Sequence, residues 1–427
     1  MNIYFRGIHV INPYNNLNEK LNIWVKDGLI AYIGKEEPSI DEETETVLSD
    51  DLVCSPGFFD MHVHFREPGY EYKEDIESGA NSAANGGFTG VLCMPNTNPP
   101  IDNPQVVEFI RNKAKNHLVD VEVSGTLTQG RHGKAISPMF ELNEYAVRMF
   151  TDDGDCVLSS DVMRRAFEYA GTKDLLISQH CEDHTLTENF SANEGVISGK
   201  LGLKGYPHIA EEIIIDRDIK LADYCGNMKY HVSHISTKGA VNIIKEAKKR
   251  GQKITCEVTP HHFVLSDEVL TNYDTRHKMN PPLRTQDDID ALIEGLVDGT
   301  IDCIATDHAP HSLHEKHVEF DKAPNGIIGL ETAVGLSLNY LVKTGNLTLE
   351  MLVEKMSVNP RKILKLKEIH FKVGEMANIT IFNPVAKWTV NKSEFKSKSK
   401  NTPFHNFELT GKPVYVINNN QIHSCML

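Results

Sequence analysis

The sequence predicts an α/β protein: a parallel (β/α)8-type barrel, with a doubly wound sheet as the alternative, joined to a small sheet domain built from both ends of the chain. Three observations carry this. Short apolar strands alternate with amphipathic helices through the middle of the chain, about eight strand candidates fall between Pro56 and Leu364, and both ends read as strand and turn. With 427 residues and 47.9 kDa there is room for a barrel of about 250 residues and an accessory domain. We expect residues 1–55 and 365–427 to form the composite domain and 56–364 the barrel.

At the N-terminal end, Ile8–Ile11 precedes Asn12-Pro13, Leu21–Val25 precedes Asp27-Gly28, and Ile30–Gly34 follows. Ala377–Phe382 and Val414–Asn420 repeat the texture at the other end, so the two ends are expected to share one antiparallel sheet. Between them, Asn103 and Pro104 supply a cap and a first-turn proline to a helix with a buried stripe of Val106, Val107, Phe109 and Ile110. Ser160 is expected to cap the next helix and Gly171 to close it. A further helix runs from Ser236 to Gly251.

Composition narrows the function. The chain is 40% hydrophobic and 24% charged with no biased tract, and no apolar run approaches the roughly 18 residues of a membrane span. Its first residues lack the basic start and apolar run of a secretory signal, so a cytoplasmic location is expected. Eight cysteines stand singly, most in apolar runs, as reduced core thiols do. A net charge of -15 argues against nucleic acid, and an anionic substrate must be held by local cations.

The stretch Ser55–Gly69 carries the chemistry, with His62-Val63-His64 at its centre. Alternation along a strand projects Asp60, His62 and His64 to one side and Met61, Val63 and Phe65 to the other. Two imidazoles at this spacing can hold one divalent ion. Other strand candidates end on polar residues: Leu175–Gln179 at His180, Tyr230–Ser233 at His234, Ile301–Thr306 at Asp307, Val91–Pro95 at Asn96, with Asp153 just after Phe150. In a parallel barrel these carboxyl ends share one face, where such enzymes place their chemistry. Each residue also has a plainer role. His180 suits a hydrogen-bonded core histidine, Asp153 a turn, His231 a structural position inside its strand, and His261 and His262 a loop. Their joint placement favours a site. Four imidazoles and two carboxylates are the inventory for about two divalent ions with a shared hydroxide, zinc by preference and manganese or cobalt as substitutes.

The chain resembles the type I bacterial dihydroorotases of the amidohydrolase superfamily. The matching runs are Ser55–Gly69, Met94–Thr97, Phe150–Gly154, His180–Asp183, His231–Thr237, Glu257–His262, Lys278–Leu283 and Ala305–His311, in the family's order, with Asn401–Phe404 and Gly411–Val414 in the tail. The resemblance implies a (β/α)8 barrel with a composite β-sandwich. It implies His62, His64 and Asp307 on one metal, His180 and His234 on the other, and Asp153 bridging. It also implies substrate contacts from His64, Arg66, Asn96 and His311, with Asn280, Asn325 and Gly326 nearby. A local pair of Arg66 with Glu67 or Glu71 is the plainer role for that guanidinium. Arg148 is aligned with the carboxylated lysine that bridges the metals of other relatives, which disfavours hydantoinases and allantoinases, and Asn325 stands where many relatives carry an aromatic.

The activity so implied is reversible closure of N-carbamoyl-L-aspartate to L-dihydroorotate and water in pyrimidine synthesis, with a bridging hydroxide as nucleophile and Asp307 as general base and then acid. The segment from His311 to Asn325 reads as a mobile lid or as a plain charged loop. Two alternatives stand beside this activity: another cyclic amidohydrolase, acting on allantoin, hydantoins or dihydropyrimidines, and a silent barrel supporting aspartate transcarbamoylase. A homodimer, a small-molecule substrate, and neither nucleic acid nor membrane as partner complete the expectation.

Overall fold

The computed structural model of the protein describes residues 2–426. Eight short parallel strands form its centre: Phe58–Val63, Phe88–Cys93, Asp120–Val123, Met149–Phe150, Leu176–Gln179, Tyr230–Val232, Ile254–Val258 and Cys303–Ile304. They pair in chain order. Parallel bridges from Gly125 to Phe150 and from Val63 to His308 join the two strand groups into a closed ring. Closure leaves no sheet edge, and it decides for the barrel against the doubly wound alternative.

Helices pack outside this ring, and their caps follow local chemistry with one-residue corrections. Asn103 caps Pro104–Ala114 as expected, accepting from the Val106 N–H at 3.2 Å. The cap of Ser160–Gly171 is Ser159, which accepts from Val162, and the cap of Lys238–Lys249 is Thr237, which accepts from Ala240. In each case the neighbouring hydroxyl residue is the one with extended backbone, the conformation a cap requires. Phe109 is 40% exposed instead of buried, with the Lys113 ammonium over its ring. No helix of the described residues is long and apolar enough to cross a membrane. All eight cysteines are free, and all but Cys225 are buried.

Both ends of the chain meet in one eight-stranded sheet. Val53–Pro56 pairs in parallel with Asn2–Asn12 on one side and antiparallel with Ile379–Thr389 on the other, so it stitches the termini together immediately before the first barrel strand. Gly57 sits at this junction. A Cβ there would come within 2.0 Å of both Asn378 Oδ1 and Thr89 Oγ1. Apolar residues from both ends, among them Phe5, Val10, Ile23, Ile379 and Ile417, share the sheet's core. Phe58, fully buried, lies 5.7 Å from Phe382 of the sheet and 6.4 Å from Phe88 of the barrel, ring centre to ring centre. We predict that Phe58→Ala lowers stability by about 3–5 kcal/mol, the usual cost of emptying a buried aromatic site, read as a lower urea midpoint with the metal content of the surviving folded protein unchanged.

The first barrel strand departs from simple alternation. Asp60 opposes Val91 and Val63 opposes Cys93, three residues against two, so one extra residue bulges out between them. As a result Phe59 and Met61 join Leu92, Met94, Met149 and Leu176 in an apolar plug inside the barrel, whereas Val63 and Phe65 belong to the outer core. The expected grouping of Met61 with Val63 is thereby corrected. The bulge turns His62 and His64 inward above the plug.

Candidate metal centre

His62 and His64 leave the first strand, Asp153 follows the fourth, His180 the fifth, His234 the sixth and Asp307 the eighth, all at carboxyl ends. Asp153 is the common neighbour. Its carboxylate lies 3.3 Å from His62 Nε2, 3.5 Å from His64 Nε2, 3.7 Å from His234 Nε2 and 4.0 Å from His180 Nδ1. Asp307 Oδ1 lies 2.9 Å from His64 Nε2 and 3.6 Å from His62 Nε2. His180 Nδ1 and His234 Nε2 face each other at 2.9 Å. Two triads emerge from these distances, His62 with His64 and Asp307, and His62 with Asp153 and His234. His180 and His234, expected together on a second metal, also meet beside Asp153, at 4.0 and 3.7 Å from its carboxylate, and His62 stands between the two triads.

These atoms are buried and under-partnered. His62 Nε2 and Asp153 Oδ1, which face the metal space, make no hydrogen bond among the described residues. Orphaned buried donors and acceptors of this kind are costly, and a divalent cation among them removes the cost. The charges say the same. Burial opposes a proton on His62, but Asp153 and Glu257 beside it win and raise its pKa well above the ordinary value. Asp153 is held well below its usual range: burial works against its charge, and His62 and His234 overcome that. Asp307 is held at about 2, with burial again opposed, chiefly by the hydrogen bond from His64. The proton that two carboxylates impose on His62 is one that a cation displaces. The donor set fits divalent ions.

The outer nitrogens are held as well. Glu257 Oε1 lies 2.6 Å from His62 Nδ1, Asn96 Oδ1 is 2.8 Å from His64 Nδ1, and Glu182 Oε2 is 3.1 Å from His180 Nε2. Such partners fix which ring nitrogen faces the metal space. Glu257 is a residue that sequence reasoning passed over. Buried on the central strand Ile254–Val258, its carboxylate has to answer a positive charge, but within that strand the sequence offers no sign of which one. It also accepts from His231 Nε2 at 3.2 Å, so His231, expected to be structural, braces the brace. Asp60 accepts backbone N–H groups of His62 and Thr306, tying the first strand to the eighth, and its burial pushes it up to about 7.

Above the metal space lies a cavity of about 210 Å³, lined by His64, Arg66, Asn96, Asp153, Gly154, His180, His234, Asn280, Asp307, Ala309, His311, Asn325 and Gly326. Every expected substrate contact lines it, and His62 lies beneath. Arg66 pairs with neither Glu67, which takes Lys113, nor Glu71, which accepts from the Gly69 N–H; its Nε donates to Pro310 O. His311 Nε2 donates to Asn325 O at 2.8 Å. Asn401, from the distant tail, donates to Ala309 O and Gly326 O and accepts from the His311 N–H, so the C-terminal segment frames the cavity wall. The segment from His311 to Asn325 is no plain charged loop, because Lys316 within it is buried and donates to Thr275 O, Lys278 O and Pro324 O. Burial brings that ammonium down to about 7.

Two further placements matter. Arg148 lies ahead of the fourth strand, donating to Lys365 O, while Asp153 lies beyond it. Its expected equivalence to a bridging lysine therefore fails on position: it is at the wrong end of the strand. Gly154 has a φ of +84°, and a Cβ there would stand 3.0 Å from Asn96 Nδ2 and 3.1 Å from Arg131 Nη2. We predict that Gly154→Ala costs about 1–2 kcal/mol in folding through its left-handed backbone. Because the methyl pushes Asn96 aside, KM for the substrate should rise severalfold with metal content unchanged, checked by steady-state kinetics and elemental analysis on one sample.

The Dihydro-orotase-like family matches residues 52–240. A dihydroorotase of Acetivibrio thermocellus is 47% identical over 98% of this chain and 97% of its own length, and one of Geobacter metallireducens is 48% identical over 98% of each. The chain belongs to the dihydroorotase family. Among solved structures it is similar to L-hydantoinase (dihydropyrimidinase) from Arthrobacter aurescens, with a TM-score of 0.86, 23% identity, and 99% and 96% of the two chains covered. Dihydropyrimidinase from Brevibacillus agri gives a TM-score of 0.85 at 19% identity, covering 99% and 95%. At such identities the likeness is one of fold. Near-half identity to dihydroorotases along the whole chain, against 23% and 19% to these two structures, separates it from the hydantoinases.

Proposed function

We propose that this chain closes N-carbamoyl-L-aspartate to L-dihydroorotate and water, reversibly, in pyrimidine synthesis. We further propose that His62, His64, Asp153, His180, His234 and Asp307 hold about two zinc ions, with manganese or cobalt as substitutes. The observation that carries this is the position of Asp153, whose carboxylate faces four imidazoles at 4.0 Å or less directly beneath a cavity that presents Arg66 and Asn96. When bound, such ions activate water and polarise the ring carbonyl.

The chain's own groups do the rest. Asp307, kept ionised by His64 and its neighbours, accepts the proton of the attacking water and passes it to the leaving ring nitrogen. Arg66, free of Glu67 and Glu71, offers its guanidinium fork to the substrate carboxylate. Asn96 has its oxygen committed to His64 and so presents its NH2 to the same anion. Hydrolysis breaks the ring amide, leaving a carboxylate on one side and a carbamoyl NH2 on the other. Closure consumes a proton and one carboxylate, so lower pH favours the ring.

The test is turnover by metal-replete protein of N-carbamoyl-L-aspartate at mildly acidic pH and L-dihydroorotate at alkaline pH, with allantoin and dihydrouracil alongside and metal measured on the same sample. Selective turnover of the first pair is expected. Turnover of a control substrate instead, or none despite bound metal, overturns the proposal.

A further inference from the structure

Building on the function proposed above, we propose that Glu182 is a positioning residue that couples a metal-site imidazole, His180, to a substrate-facing amide, Asn280. Glu182 is 3% exposed and stands two residues beyond His180 at the end of the fifth strand. A single carboxylate oxygen, Oε2, accepts from His180 Nε2 at 3.1 Å and from Asn280 Nδ2 at 2.8 Å. The other, Oε1, accepts from Thr187 Oγ1 and lies 3.4 Å from His184 Nδ1. Four donors converge on one carboxylate, which has about four lone-pair sites to give. The side chain is saturated and cannot turn without orphaning a buried group.

Two consequences follow from one atom. With His180 Nε2–H committed to Glu182, the ring nitrogen that keeps a lone pair is Nδ1, which faces His234 Nε2 at 2.9 Å and Asp153 Oδ1 at 4.0 Å. On the other side, a carboxylate only accepts, so the Asn280 amide must aim its NH2 at Glu182 and its oxygen away. That oxygen is buried and makes no hydrogen bond, and Asn280 lines the cavity. Asn280 therefore shows the substrate an acceptor. It suits an N–H of the ring or of the ureido group, whereas Asn96, turned the opposite way by His64, suits the carboxylate. Two asparagines of identical chemistry are given opposite polarity by their partners, and the partner of Asn280 is also the partner of His180.

The experiment compares wild type, Glu182→Gln, Asn280→Ala and the double variant. Zinc affinity of metal-stripped protein is measured against a chromophoric chelator, and kcat and KM for L-dihydroorotate are measured at saturating zinc. A glutamine that keeps its one oxygen on His180 and Asn280 turns an NH2 towards Thr187 and His184, where the carboxylate accepted, and the two bonds it keeps lose the help of the carboxylate's charge. Glu182→Gln is expected to weaken zinc binding about 10- to 100-fold. It should also raise KM about 3- to 10-fold, the worth of a hydrogen bond to a neutral group. Asn280→Ala is expected to raise KM similarly and leave zinc affinity unchanged. In the double variant zinc affinity should match Glu182→Gln and KM should match Asn280→Ala alone, because the effect on KM passes through Asn280. Unchanged zinc affinity in Glu182→Gln, or KM effects that multiply, overturns the coupling. Glu182→Asp, which keeps both acceptors but draws them back by one methylene, should show the same pattern at smaller size and serves if the glutamine variant does not fold. A wild type that binds zinc but leaves dihydroorotate untouched refutes the function and not the link from Glu182 to His180, which the zinc titration judges by itself.

Discussion

Asp307→Asn is expected to lower turnover by about 10²- to 10⁴-fold in both directions, the range lost with a general base, while metal content stays near the wild-type value. The two side chains are close in shape. An amide oxygen can keep the 2.9 Å contact with His64 Nε2, so the site should assemble. What disappears is a carboxylate held at about 2, hence ionised at any pH of use and able to take a proton from water. Steady-state rates for N-carbamoyl-L-aspartate and L-dihydroorotate, with elemental analysis of the same preparation, decide it. Near-normal turnover would remove Asp307 from proton transfer, and loss of metal with loss of rate would make it a structural ligand only.

Asp153→Ala should have the broader effect: loss of most bound metal together with turnover, by about 10³-fold or more, since nucleophile and carbonyl polarisation both depend on the ions. Among the described residues, Asp153 alone lies within 4.0 Å of all four site imidazoles. Removing it leaves His180 Nδ1 and His234 Nε2 facing each other at 2.9 Å without the carboxylate that favours a cation between them. Asp153→Glu, displaced by one methylene, should recover part of the metal and little of the rate. Full metal content in Asp153→Ala would contradict a bridging role.

Much of this site is legible in the sequence. His64, Asp153, His180, His234 and Asp307 announce themselves because each stands just past an apolar run, and a parallel barrel sends all such ends to one face. Glu257 stayed hidden because it lies within a strand, where a charge looks like an irregularity until its partner His62, 195 positions away, is known. Asn401 belongs to the tail, and nothing local says that its amide holds the loop carrying His311. Arg148 shows the opposite error, a residue close in sequence to the site and on the wrong side of its strand.

By itself the sequence determined the alternation of strand and helix, the residue types at the strand ends, and the family, because these depend on periodicity and on identity position by position. Tertiary structure alone decided that the strands close into a ring, that a bulge between Asp60 and Val63 turns His62 and His64 inward, and which partner each outer nitrogen and each amide takes. The physical reason is that hydrogen bonds and ion pairs act over about 3 Å in space and are indifferent to separation along the chain. The polarity of Asn96 and Asn280 is set by His64 and Glu182, one 32 positions away and the other 98, and only folding makes them neighbours.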